Sequence, residues 1–269
     1  MIDEQAQGLL DELTRVCTKI ANGKNWEKDR FFELTREGSY PAHITGLAES
    51  FGMMLVKVET REFQLEQKLE ELQKSYMRTS TMLDGMVLSL ASTLEHRDPY
   101  TAGHGRRVTE LSCAIAGQMG FDSDRMEGLR IAALLHDIGK IAVPLEILSK
   151  PGPISEHEFN LIKTHSQTGH DILASIDFPW PVAQFVLQHH RRIDGSGYPV
   201  TNDAGEIPLE ARILGVADVV EAMSSHRPYR PALGIDRALE ELTAAKGIAF
   251  DPEVTDICIR LFRTGEFSF

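Results

Sequence analysis

Cysteine is scarce in this chain of 269 residues: Cys17, Cys113 and Cys258 are odd in number and far apart. That spacing argues against a disulfide framework and against a thiolate zinc knuckle. Basic residues are in deficit too, with 28 Lys and Arg against 40 Asp and Glu and a formal charge of −12. A general DNA binder or a binder of anionic membranes needs a basic surface, so neither fits. A small anionic substrate still does, because a local arginine cluster or a metal ion reverses the sign inside a cleft. Long apolar runs are missing: Phe51–Val56 and Ile131–Leu135 are core-sized, and the opening Met-Ile-Asp-Glu is acidic where a signal peptide is basic. The expectation is a cytoplasmic protein with no membrane span. Strand-like alternation is scarce, and there is no internal repeat or low-complexity tract. Hydrophobic residues at 42% and charged residues at 25% are ordinary for a folded chain, long enough for one large domain or two smaller ones.

Histidine divides the chain. Only His43 of the ten lies before residue 96. The part poor in histidine opens with a helical stretch, roughly Glu4 to Ala21, that Asn22-Gly23 should end. After a connector through Gly38 and Pro41 a heptad pattern begins. Its a positions are Ala48, Leu55, Glu62, Leu69, Tyr76, Leu83 and Leu90, and its d positions Ile44, Phe51, Val58, Leu65, Leu72, Thr79 and Met86. Of these fourteen only Glu62 and Thr79 are polar, which favours a supercoiled helix pair, with Arg61 at g facing Glu66 at the next e across a parallel homodimer. One amphipathic helix lying on a neighbouring domain is the alternative. The segments Ile44–Phe51 and Val58–Glu62 resemble the second helix of a HAMP-type signalling module.

Beyond residue 85 the pattern is a succession of helices. Ser155 with Glu158 is a capping box, Pro181 suits the first turn of a helix ending at His189-His190, and Leu209 to Met223 has helical spacing. Gly- and Pro-rich loops separate them. The fold class read from this is all-α, with a helical N-terminal region over 1–84 and a second domain over 85–269.

The chemistry gathers in that second domain. In Ala132-Ala133-Leu134-Leu135-His136-Asp137-Ile138-Gly139-Lys140 an apolar run ends in an imidazole, a carboxylate and an ammonium, which are costly to bury unless paired or bound to metal. His104, His165, His189, His190 and Asp218 recur at helix positions, Asp218 inside the apolar run Ile213–Val220. Five histidines and two aspartates without cysteine make a nitrogen and oxygen donor set, suited to Fe, Mn, Ni or Zn in a catalytic site. Seven ligands are too many for one metal with an open position and about right for two bridged by a carboxylate.

An ordered series of motifs then resembles the HD-GYP family of bacterial cyclic dinucleotide phosphodiesterases, a branch of the HD metal-dependent phosphohydrolases. The motifs are Arg97-Asp98-Pro99-Tyr100-Thr101-Ala102-Gly103-His104, Leu135–Pro144, Ile147–Gly152, His165, and His189-His190 with Asp194-Gly195-Ser196-Gly197-Tyr198-Pro199. Ile207–Asp218 and Arg227-Pro228-Tyr229-Arg230 complete it, so the match runs from about Leu94 to Leu233. The resemblance implies an all-α, multi-helix HD-domain bundle preceded by the long coiled-coil helix. It implies that His104, His136, Asp137 and Asp218 form one metal site, and that His165, His189 and His190 build a second, with Asp137 bridging. Two divalent metals, Fe or Mn first and Ni, Zn or Mg as alternatives, would activate water for in-line attack on phosphorus, spaced typically ~3.5–4 Å apart. Lys140 either stabilises phosphoryl charge beside Asp137 or is a salt-bridge partner of a ligand. Arg227 and Arg230 stand at phosphate-contacting positions. Tyr198 either meets a substrate base or packs on a neighbouring helix; Asp98 either orients a ligand or substrate or marks a helix boundary.

Departures from the family pattern qualify this. Tyr100 stands where members with a third metal carry Glu, so two metals are expected. Arg191 and Ile193 follow the histidine doublet where Glu and Trp are usual, and Glu221 replaces a common Asp. The function implied is hydrolysis of cyclic di-GMP to linear pGpG, onward to GMP as a further step, with cyclic GMP-AMP as a related substrate. The competing reading, resting on Arg191, is a catalytically idle module that binds a cyclic dinucleotide or a GGDEF-domain partner. A general HD nucleotide phosphohydrolase is disfavoured by the doubled histidine and the Gly-Tyr-Pro loop.

Overall fold

The structure, a computed structural model, describes residues 2–21, 42–97, 103–200, 206–225 and 232–269. Among these the elements are helices, with only two isolated bridges, Arg191 to Gly197 and Lys246 to Phe250. The all-α reading holds. The chain divides into two compact units, Met1–Ser80 and Thr81–Phe269.

The first unit holds α1 (Ile2–Ala21) and most of α2 (Ala42–Arg97), a single helix of 56 residues. Leu13 and Val16 of α1 and Ala48 and Leu55 of α2 are buried within the chain. Further along, Val58, Leu65, Leu69, Leu72 and Tyr76 are exposed. The apolar stripe is therefore covered at its first two a positions and bare beyond them, a shorter seam than seven heptads. No described helix is long and apolar enough to cross a membrane.

The second unit begins with the last turns of α2 and continues with α3 (His104–Gln118), α4 (Ser123–Leu135), a 3-10 turn (Ile138–Ala142), α5 (Leu145–Leu148) and α6 (Glu156–Lys163). It closes with α7 (His165–Leu173), α8 (Val182–Gln188), α9 (Leu209–Ser224), α10 (Ile235–Ala245) and α11 (Pro252–Thr264). Asp122 caps α4 by accepting from Arg125 N at 2.8 Å, and the Ser155–Glu158 capping box opens α6 as the sequence predicts. α9 and the C-terminal half of α4, Ile131–Leu135, are apolar on nearly every face and fill the centre, packed among α3, α8 and α11 in one continuous core that Val87 of α2 also enters.

Two glycines let backbones meet where the site is built. A Cβ on Gly139 would lie 1.9 Å from the His165 carbonyl oxygen, so the 3-10 turn fits against the start of α7 only without a side chain. A Cβ on Gly215 would lie 2.4 Å from the His189 carbonyl oxygen, which fixes how closely α9 approaches the end of α8.

Candidate metal centre

Helix ends deliver the histidines. His136 caps α4, His165 follows the last turn of α6, and His189 caps α8. Each stands where backbone carbonyls have no partner within the helix, and each ring uses one. His136 Nδ1 donates to Ala133 O at 2.7 Å, His165 Nδ1 to Ile162 O at 2.8 Å and His189 Nδ1 to Val186 O at 2.6 Å. With Nδ1 so engaged, each ring turns Nε2 inward. His104 differs: it is the first residue of α3, and its Nδ1 donates to the buried carboxylate of Glu221.

Those inward nitrogens converge on two carboxylates. Asp137 Oδ2 lies 3.5 Å from His136 Nε2 and 3.7 Å from His104 Nε2, while Asp137 Oδ1 lies 3.7 Å from His165 Nε2. Asp218 Oδ1 is 3.4 Å from His104 Nε2 and 3.9 Å from His136 Nε2, and its Oδ2 is 3.8 Å from His190 Nδ1. Two clusters compact enough for a cation result: His104 with His136 and Asp137, and His165 with His189 and His190. Thus the seven residues singled out from the sequence come together, drawn from positions 104 to 218.

Two observations test whether a metal fits. His136 Nε2 and His189 Nε2 are buried with no hydrogen-bond partner among the described residues, an arrangement costly for a neutral core and suited to coordination. The protonation states agree. Burial alone would raise the Asp137 carboxyl, but Lys140, then His136, His165 and His104, outweigh it and hold it well below the usual carboxylate range. At Asp218 burial is likewise overcome, by His104, His190 and His136. Burial pushes His189 down to about 3, with His136 and His165 adding to the effect. It also lowers His165, and takes His190 well below its ordinary value with help from His189. Neutral imidazoles beside ionised carboxylates are the state a divalent cation requires.

Around this centre, Lys140 Nζ donates to Asp137 Oδ2 at 2.6 Å, so the salt bridge anticipated for it exists. The last turn of α2 braces both ligand loops: Glu95 accepts from Gly103 N at 3.1 Å beside His104, and Arg97 donates to the carbonyls of Ile141 and Val143 beyond Lys140. A cavity of about 430 Å³ lies between that turn and the first cluster, lined in part by Leu88, Ser92, Glu95, Arg106, His136 and Asp137. Tyr198 packs its ring on His190, centroids 4.5 Å apart, and lies edge-on to His165 at 6.1 Å. Arg191 donates to Gln188 Oε1 at 3.0 Å.

Asp98, Arg227 and Arg230, together with Tyr100 and His226, lie outside the described residues. His96 and His157 are exposed, and His170 faces Asp171 at 3.0 Å. Sequence reasoning missed Glu221 as a partner of His104, and with it Arg107, Glu95 and Arg97. Glu221 did carry a signal: it stands three residues after Asp218 in an apolar helix, on the same face.

The HD domain family matches residues 89–254. The chain is 38% identical over 209 residues to the cyclic di-GMP phosphodiesterase response regulator RpfG of Xanthomonas campestris, covering 76% of this chain and 53% of that protein. It is 40% identical over 172 residues to the 3'3'-cGAMP-specific phosphodiesterase 3 of Vibrio cholerae, covering 64% of this chain and 37% of that one. A cyclic di-GMP phosphodiesterase of Thermotoga maritima is 36% identical over 203 residues, covering 73% and 55%. The chain spans about half the length of the curated relatives it matches, or less.

Proposed function

Because the chain belongs to the HD-domain family, we propose that its buried histidines and aspartates hold two divalent cations and that it hydrolyses a phosphodiester bond of a cyclic dinucleotide. Cyclic di-GMP is the substrate and linear pGpG the product. In this reading His104, His136, Asp137 and Asp218 would hold one cation and His165, His189 and His190 the other, with Asp137 available to both. The supporting observation is the placement of Asp137, whose two oxygens face histidines of both clusters at 3.5 to 3.7 Å. Iron or manganese suits a donor set of imidazoles and carboxylates.

When bound, two such cations supply Lewis-acid activation of water and neutralisation of phosphoryl charge. The chain's own residues do the rest. Lys140 has three donors and commits one to Asp137, so its ammonium offers others to a phosphoryl oxygen as charge grows there. The cavity beside Asp137 admits substrate to the carboxylate. Tyr198, packed on the His190 ring beside the second cluster, would meet a base of the substrate. Asp98, Arg227 and Arg230 complete the substrate contacts, the two guanidiniums by pairing with phosphate. Residues 85–269 are the catalytic domain, and residues 1–84 serve regulation and dimerisation through the exposed stripe of α2. A GGDEF-domain protein is a further partner of this cytoplasmic enzyme.

An idle binding module is less well supported, because Arg191 directs its guanidinium to Gln188. Cyclic GMP-AMP is the second substrate reading, favoured by the 40% identity to the Vibrio enzyme. Purified full-length chain loaded with Mn or Fe and incubated with cyclic di-GMP should yield pGpG, and side-by-side rates with cyclic GMP-AMP rank the two. Asp137→Asn and His136→Ala should each lower kcat on the order of 10³-fold or more. Absence of turnover with every metal tested and both substrates would end this assignment.

A further inference from the structure

Four histidines of the centre, His104, His136, His165 and His189, turn Nε2 inward and solve the same problem in two ways. A ring presents Nε2 as a lone pair only if Nδ1 keeps the proton, and a hydrogen bond from Nδ1 is what keeps it there. His136, His165 and His189 find that acceptor three residues back, among the free carbonyls at the end of a helix. His104 opens a helix instead, where the free backbone groups are N–H donors and supply no acceptor. Its acceptor comes from 117 residues away, the carboxylate of Glu221.

Glu221 is held for that task. It is fully buried on α9. Arg107, one turn beyond His104 on α3, donates to Glu221 Oε1 from Nε at 2.8 Å and from Nη2 at 2.6 Å. Ser225, which follows the last residue of α9, donates to the same oxygen at 2.6 Å. Oε1 is thus anchored by three donors while Oε2 takes the imidazole N–H. Asp218 lies one turn before Glu221 on α9, so the contact also fixes how far the His104 ring stands from the Asp218 carboxylate, 3.4 Å at Oδ1.

We propose that Glu221, anchored by Arg107 and Ser225, is a positioning residue that holds His104 in the Nδ1–H tautomer and so sets the metal affinity of the cluster His104, His136 and Asp137. This rests on the reading of that cluster as a metal site. It adds the requirement that one ligand be supported by a carboxylate from another helix because no helix carbonyl can serve it.

Mn²⁺ titration of the full-length chain by calorimetry, with metal content measured after dialysis, tests it. Glu221→Gln should weaken one of the two Mn²⁺ binding steps by about 10–100-fold while leaving the other and the helical circular dichroism unchanged. Glu221→Asp should retain more affinity than Glu221→Gln. Arg107→Met and Ser225→Ala, which spare the carboxylate, should weaken binding by smaller factors and serve if Glu221→Gln does not fold. Imidazole ¹⁵N spectra of the metal-free chain give an independent readout: His104 should be protonated at Nδ1 in the unmodified protein and populate the Nε2–H tautomer in Glu221→Gln. Unmodified chain binding two Mn²⁺, with Glu221→Gln and Arg107→Met binding equally tightly, would overturn the role of Glu221 and leave the metal centre standing. Unmodified chain binding no metal would overturn both.

Discussion

The two units spend their apolar residues differently. In residues 81–269 the large aliphatic side chains of α3, α4, α8, α9 and α11 close into one core, and most of the ionisable groups buried beside it, Glu210 apart, are those of the histidine and aspartate centre with Glu221. In residues 1–80 only the first part of the α2 stripe is covered, and Val58, Leu65, Leu69, Leu72 and Tyr76 face outward at helical spacing. A buried leucine is worth roughly 1.5–3 kcal/mol relative to an exposed one. The second unit has collected that free energy within one chain, whereas the first leaves it available to a surface from outside. A unit that is already closed can afford to place two carboxylates and several neutral imidazoles at its centre; a unit with an open seam is suited to association.

The contrast breaks most sharply at Gly139. Gly139→Ala puts a methyl group on the carbonyl of His165, and the backbones cannot part without displacing the turn that carries Asp137 and Lys140. The second unit should lose about 3 kcal/mol, read as a lowered denaturant midpoint with unchanged slope. Metal content should fall in parallel. A midpoint within experimental error of the unmodified chain would mean that the turn and α7 have room to separate, and that this core is not closed.

Acid should weaken the second unit next. His189 is neutral in the fold and titrates near 3, against about 6.5 when unfolded. The unfolded chain therefore binds more protons between those values, and stability present above pH 6.5 is lost as the pH falls through the window. Between pH 6.5 and 5 this one group removes about 2 kcal/mol from the metal-free protein. His165 and His190 shift in the same direction. The carboxyl of Glu221 is held down at about 2 by His104, Ser225 and Arg107 against its burial, so its own contribution is lost only below the ordinary range near 4.5. Thermal melts from pH 7 to 5 should show Tm falling in metal-free protein, and falling from a higher starting value but at least as steeply in stability with saturating Mn²⁺, whose ligated imidazoles bind no protons; a flat profile would show that the imidazoles are hydrated and the centre open.

Much of this was legible in the sequence. Heptad spacing identified α2 as one long helix, and the capping box at Ser155 located the start of α6, because both signals are local. The seven residues that converge were conspicuous because a charged or imidazole group stands out in an apolar run such as Ile213–Val220, and because the motifs around them follow in a fixed order. Two things were not. The partner of His104 is a tertiary contact with Glu221, invisible to any window of sequence, although its spacing from Asp218 was there to be read. Nor does a heptad pattern say which stretch of its stripe is already covered: Ala48 and Leu55 satisfy it as well as Leu69 does, yet they are buried within the chain and Leu69 is not. Gly139 occupies an intermediate place, present in the recognised motif but explained only when His165 is seen against it.

The smallest effect on the second unit should come from the seam itself. Leu65→Glu with Leu72→Glu places two carboxylates at successive d positions, both exposed, and like charges facing each other across a parallel pair repel as well as removing the apolar contact. Sedimentation should show the unmodified chain as a dimer and the double variant as a monomer at the same concentration. The denaturant midpoint of the second unit should shift by less than about 0.5 kcal/mol, since neither residue belongs to its core. The turnover rate of the monomer then separates two roles for α2. Its last turn braces the loops of His104 and Lys140 through Glu95 and Arg97, contacts made within one chain. If those contacts suffice, rate per chain is unchanged when the dimer is lost; if the pairing of two α2 helices sets the position of that last turn, the rate changes while metal content does not. A double variant that remains dimeric would place the association elsewhere and remove the stripe as the reason the first unit is left open.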